Sequence, residues 1–147
     1  QCHGRLAPVL AFIEQAFRAG CHVELTNLII PGLNDAESGI EALAAWVQAT
    51  LSADVPLHLS AYRPMYKMTV AATPVDTLER AHAICRRRLN HVYVGNVFSE
   101  KGCDTTCPDC GAVWVRRRGY HVVVDGVQNG LCASCGRPVN GCLDARP

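Results

Sequence analysis

The chain has 147 residues, a formal net charge of +1 and nine cysteines. That length fits one domain or one and a fraction, and near-neutral charge gives no global electrostatic footprint for nucleic acid. Neither an 18-residue apolar run nor a signal peptide is present, so the expected location is the cytoplasm and the expected state of the thiols is reduced.

Leu6, Val9, Leu10, Ile13 and Phe17 recur at helical spacing, and Gly20 stops that helix. A strand is predicted over about 21–30, ended by Pro31-Gly32. Asn34-Asp35-Ala36-Glu37 then reads as a capping box opening a second helix through Leu43, Trp46 and Val47. A second strand follows at 56–62. After a loop at 63–72, Thr73-Pro74-Val75-Asp76 offers an N-cap, a proline at the first helical position and an acid in the first turn. The third helix runs towards Leu89, and a third strand occupies 91–97.

Helix alternating with strand predicts α/β architecture with parallel strands and right-handed crossovers. Covered parallel strands normally read as unbroken apolar runs, and these do not. His22, Glu24 and Thr26 fall on one face of the first strand, and His58, Ser60 and Tyr62 on one face of the second. Tyr93 and the Gly95-Asn96 pair mark the third. Polar residues on one face of otherwise buried strands suit a barrel lumen facing a ligand; a solvated face is the plainer alternative. Three strands cannot close a barrel. The expected fold is a partial (β/α) TIM-type barrel segment over 1–99, belonging to a longer protein, followed over 100–147 by a small β zinc ribbon.

The ribbon carries the strongest chemical signal. Cys107-Pro108-Asp109-Cys110-Gly111 and Cys132-Ala133-Ser134-Cys135-Gly136 are two knuckles with the spacing of a four-thiolate metal site. Two residues between paired cysteines let one tight turn aim both sulfurs at one ion. The glycine after each pair tolerates the twist that turns amides towards sulfur. The connector reads as a hairpin: Val113 and Val115, then Val122 to Val124, flank Gly119, and Asp125-Gly126 and Asn129-Gly130 are turn signals. Zinc is the expected ion in a closed structural site, with iron in a rubredoxin-like site as the rival. Arg137 or the run Arg116-Arg117-Arg118 offers charge to offset four thiolates; the plainer reading of the run is a solvated hairpin face. The other cysteines, Cys2, Cys21, Cys85, Cys103 and Cys142, are scattered.

Ile29-Ile30-Pro31-Gly32-Leu33-Asn34-Asp35, Pro56-Leu57-His58-Leu59-Ser60, Pro64-Met65-Tyr66-Lys67, Thr73-Pro74-Val75 and Val92-Tyr93-Val94-Gly95-Asn96-Val97, taken in order, resemble the C-terminal part of the AmmeMemoRadiSam-system radical SAM enzymes. Those enzymes are relatives of pyruvate formate-lyase activating enzymes. The opening Cys2-His3-Gly4-Arg5-Leu6-Ala7-Pro8-Val9 and the terminal knuckles are similar too. The resemblance implies a partial TIM barrel in which a [4Fe-4S] cluster cleaves S-adenosylmethionine to a radical that abstracts hydrogen from a substrate. That cluster motif would lie before Gln1.

By the same resemblance Glu24, Thr26, His58, Ser60 and Arg63 hold S-adenosylmethionine or shape the substrate cavity. Arg63 stands where the family has histidine and Met65 where it has an acid. Arginine can pair with a carboxylate or phosphate-like group but cannot shuttle a proton. Cys103-Asp104-Thr105-Thr106-Cys107-Pro108-Asp109-Cys110 imitates the cluster spacing. It is rejected because it follows the last strand, lacks the usual aromatic before the third cysteine, and shares two cysteines with the ribbon. The expected partners are S-adenosylmethionine and an unidentified substrate, a protein among the options. The competing functions are a stand-alone ribbon module docking a protein or nucleic acid, and an iron electron-transfer site.

Overall fold

The computed structural model describes residues 4–99 and 101–139. Three helix-strand units come first: α1 (Leu6–Arg18), β1 (Leu25–Ile29), α2 (Glu37–Thr50), β2 (Leu57–Ala61), α3 (Val75–Arg86) and β3 (Val92–Gly95). The strands pair in parallel in the order β1-β2-β3, because a helix between successive strands returns the chain to the same end of the sheet. The result is a mixed α/β fold with an open sheet, not a closed barrel.

Register divides the sheet into two unlike faces. Leu25, Leu57 and Val92 align across one face, followed by Asn27, Leu59 and Val94. This side packs with Ile40, Ala44 and Val47 of α2 and Leu78, Ala81 and Ile84 of α3 into the main core. Thr26, His58 and Tyr93 align on the other face, with Leu28, Ser60 and Gly95 in the next row. That face is only partly buried, and Leu28 is 44% exposed.

The two edges of the sheet differ as well. The Val94 amide donates to the Gly102 carbonyl at 3.0 Å, so the chain leaving β3 covers part of that strand's edge. β1 pairs only with β2 among the described residues. α1 buries none of its residues, and its apolar stripe leaves Leu6 and Phe12 each 70% exposed. An amphipathic helix gains its stability from packing, and this one leaves most of its apolar side exposed, with Phe17 packed against the main core.

The strands are shorter than their sequence patterns, and both predicted caps are corrected. α2 starts from Ala36 and α3 from Pro74, neither with a side-chain cap. Asn34 instead closes the Pro31-Gly32 loop: its Oδ1 accepts from the Ile30 amide at 2.7 Å and its Nδ2 donates to the Leu28 carbonyl at 2.9 Å. Thr73 is buried, its hydroxyl accepting from the Tyr62 amide at 2.9 Å and donating to the Ile29 carbonyl at 2.5 Å. The side chains that satisfy helix ends satisfy loop backbone equally well, and here the loops hold them. Tyr62, read as sharing the His58 face, is buried beyond the end of β2.

The second part of the chain is β4 (Thr105–Thr106), β5 (Val113–Arg118), β6 (His121–Val124), β7 (Val127–Gln128) and β8 (Leu131–Cys132). β4, β5 and β6 form one antiparallel sheet and β7 and β8 a short hairpin. The predicted turns lie where the sequence placed them, with Asn129 and Gly130 both at positive φ between β7 and β8. Its core is small: Cys107, Trp114, Val115 and Cys132, with Ala112, Val127 and Val139 packed against them. Among the described residues no helix is long and apolar enough to cross a membrane. Cys2, His3 and Cys142 lie outside the described residues.

Candidate metal centre

The two knuckles are built alike. In the first, the Cys107 amide donates to the Ala112 carbonyl and the Gly111 amide to the Cys107 carbonyl. In the second, the Cys132 amide donates to the Arg137 carbonyl and the Gly136 amide to the Cys132 carbonyl. Gly111 and Gly136 have φ of 73° and 74°, a conformation that a side chain makes costly. Each loop thereby folds back on its own first cysteine and brings the second sulfur beside it.

All four sulfurs lie within 4.8 Å of one another. Cys107 and Cys135 are 3.6 Å apart and Cys110 and Cys132 are 3.7 Å apart. Four sulfurs about 2.3 Å from one tetrahedral ion would be separated by roughly 3.8 Å, so the spacing suits a single zinc or iron. A four-iron cluster places each thiolate on a different iron and spreads the sulfurs wider. The first cysteine of each knuckle is buried and the second exposed. Cys103 stays outside the group, its thiol donating to the Ser99 carbonyl at 3.0 Å. Cys85 is also apart, its thiol pushed up to about 11 by burial.

The protonation of the group also favours a cation. The Trp114 indole, helped by the Cys135 and Ser134 amides, draws Cys132 down to about 6. Trp114 Nε1 is buried without a partner at ordinary hydrogen-bond distance, so this pull acts across a longer gap. The Arg137 amide favours a thiolate at Cys135, but Cys110, burial and the other two sulfurs push that thiol up to about 12. Sulfurs this close cannot all ionise alone, and a divalent ion supplies the missing charge. Trp114, which the sequence reading passed over, is the donor beside the site. A lone tryptophan among small ribbon residues was the available signal.

The arginines are engaged. Arg137 bridges the knuckles by pairing with Asp109, and its Nη2 is 3.9 Å from Asp54 ahead of β2. Arg116 pairs with Asp125 and Arg118 with Asp104. Arg117 stands over the Tyr93 ring at 5.3 Å and donates to Thr105 Oγ1 at 2.8 Å. A close approach also governs Gly126: a Cβ there would meet the Val113 carbonyl oxygen at 1.9 Å. Gly126→Ala is therefore expected to part β5 from the second knuckle and destabilise the lobe by about 1–3 kcal/mol. The check is the chelator concentration needed to strip the metal, which should fall.

The lobe docks at the end of the sheet where the strands begin. The Tyr93 hydroxyl is 2.8 Å from Thr105 Oγ1, and the His91 and Trp114 rings are 6.1 Å apart. Burial lowers the His91 pKa and so favours a neutral imidazole. On the sheet side Tyr93 stacks on His58 at 5.2 Å, and Glu24 receives His58 at 2.8 Å and His22 at 3.0 Å. Bonds from His22 and His58 hold the Glu24 carboxyl below its ordinary range. A cavity of about 720 Å³ lies at this seam, lined among others by Glu24, His58, His91, Tyr93, Trp114 and Arg117. Of the residues singled out on the barrel segment, Glu24 and His58 are in contact and Thr26 is beside His58 in register. Ser60 is in the next row of the same face. Arg63 is exposed in the loop after β2, apart from them.

No protein-family model matches the chain. An uncharacterized protein of Methanocaldococcus jannaschii is 36% identical over 143 residues, which cover 95% of this chain and 43% of that protein. The chain thus spans less than half the length of the curated relative it matches. A solved radical SAM methyltransferase from Sphaerobacter thermophilus superposes with a TM-score of 0.53 at 19% identity, over 74% of this chain and 30% of that one. The likeness is one of fold.

Proposed function

We propose that this chain is the C-terminal part of a radical SAM enzyme of the cytoplasm, with residues 1–99 as barrel segment and 100–147 as a structural zinc ribbon. The supporting observation is a three-unit α/β sheet, alike in fold to a radical SAM methyltransferase, with one polar face only partly buried and, among the described residues, a β1 edge that pairs with nothing. In this reading Thr26, His58 and Ser60 face the lumen, Glu24 holds His58 in place, and Arg63 stands at the rim for an anionic group on the cofactor or substrate. Cys107, Cys110, Cys132 and Cys135 hold zinc, which closes the lobe against the start of the strands.

A [4Fe-4S] cluster with S-adenosylmethionine supplies a hydrogen-abstracting radical in such enzymes. The described residues do not fit that cluster: outside the knuckles their cysteines are Cys21, Cys85 and Cys103, which do not gather. Its ligands are assigned to a preceding segment, and no step of radical formation is given to this chain.

The test is anaerobic reconstitution of the protein lengthened by whatever coding sequence precedes Gln1. The expected result is 5′-deoxyadenosine formation dependent on a reductant, with the 147-residue chain alone binding one zinc and cleaving no S-adenosylmethionine. A lengthened protein that takes up no cluster and cleaves nothing overturns the reading. An iron stoichiometry of one in the knuckles replaces the structural ribbon by an electron-transfer site.

A further inference from the structure

β6 is the outer strand of the β4-β5-β6 sheet, and among the described residues its free edge pairs with nothing. All four of its residues are exposed. Val122, Val123 and Val124 show 53%, 36% and 40% of their surfaces, and Tyr120 in the preceding turn is fully exposed. Edge strands are ordinarily protected by a lysine, a proline or a bulge. Here three β-branched apolar residues stand in a row on a ladder of open backbone groups, which makes a surface for strand addition.

The strand is complementary to itself. Two copies running antiparallel about a two-fold axis at Val123 align Val122 with the partner's Val124 and His121 with the partner's Asp125. Because side chains alternate along a strand, this register keeps Val122 and Val124 of both copies on one face, as a row of four valines. Asp125 has one oxygen, Oδ2, near Arg116 at 3.5 Å, and its other oxygen is left for the imidazole. The His121 imidazole has no hydrogen-bond partner among the described residues. Moving the axis to Val122 would set Asp125 against Gly119 and lose the pairing at both ends. Polar complementarity and apolar contact therefore select the same register.

We propose that β6 joins β6 of a second copy of this chain, making a continuous six-stranded sheet with reciprocal His121 to Asp125 contacts. The inference does not depend on the radical SAM reading, since it uses only the ribbon. An interface of one short strand is below the size of a permanent dimer, so the association is weak and set by concentration.

The experiment is sedimentation of the zinc-loaded 147-residue chain in reductant, from about 10 µM to about 1 mM. A monomer–dimer equilibrium is expected within that range. Val123→Lys, with unchanged zinc content and helix signal, is expected to stay monomeric throughout. His121→Asp sets two carboxylates together and is expected to weaken association about tenfold, whereas His121→Lys, which keeps a cation facing Asp125, holds or tightens it. The opposite signs of the two His121 variants separate a specific pair from general loss of fold. A chain monomeric at every concentration leaves the edge to a strand of some other protein and overturns the proposal. So does a dimer that survives Val123→Lys, because it must use another surface such as the β1 edge.

Discussion

Removing the metal, or replacing Cys132 with serine, is expected to unfold the ribbon lobe while leaving the α/β segment folded. The lobe has almost no core without the ion. Of the four residues in its buried cluster two are metal ligands, leaving Trp114 and Val115 as the buried apolar side chains. Burying those two contributes about 5 kcal/mol, far less than the conformational entropy of ordering some thirty residues at about 1 kcal/mol or more each. A structural zinc contributes about 10 kcal/mol or more in small finger-like domains. The α/β segment has its own core around Leu57, Leu59, Leu78 and Leu89, so its helix signal should persist. Trp114 is the natural probe, and Trp46→Phe removes the other tryptophan. In that background chelation should shift Trp114 emission to that of an indole in water and release one zinc. Cys103→Ser should change neither, because that thiol bonds to Ser99. Buried-type Trp114 emission that persists after the zinc has gone would show that packing alone holds the lobe.

What the sequence made legible follows from how local each signal is. Helix and strand alternation is written in side-chain periodicity, and all three units stand where the periodicity put them. The knuckles are legible because two-residue spacing is itself the geometry of the site. Thr73 and Asn34 were misread because a hydroxyl or amide that can cap a helix can equally tie a loop, and only the folded chain chooses. Trp114 beside Cys132, Arg117 over Tyr93 and the Glu24 to His58 bond join residues far apart in sequence. No pattern within a strand announces them. Gly126 read as a turn glycine, yet what constrains it is the backbone of β5 pressed against it. The polar rows on β1 and β2 were visible as alternation, but alternation cannot say that the ribbon would lie across their starting end and share with Glu24 and His58 the lining of a cavity there.

Thr73→Val is expected to destabilise the α/β segment by about 2–4 kcal/mol, although valine matches threonine in shape. The hydroxyl serves two backbone groups, accepting from the Tyr62 amide and donating to the Ile29 carbonyl. Valine leaves both unpaired in a site shielded from water, and each buried orphan costs about 1–3 kcal/mol. Thr73→Ser keeps the hydroxyl and removes only a methyl group, at about 1 kcal/mol. The difference between the two variants in urea midpoint, read on the helix signal of the zinc-loaded protein, isolates the bridge. Amide exchange separates the bridge from the cap predicted for this residue. A cap lost at the start of α3 would accelerate exchange over Val75 to Thr77, whereas a lost bridge accelerates it at Tyr62. Because the bridge joins the ends of β1 and β2 ahead of the loop carrying Arg63, Thr73→Val should loosen that loop while leaving zinc uptake by the ribbon unchanged. Equal urea midpoints for the valine and serine variants would mean that the hydroxyl holds nothing together.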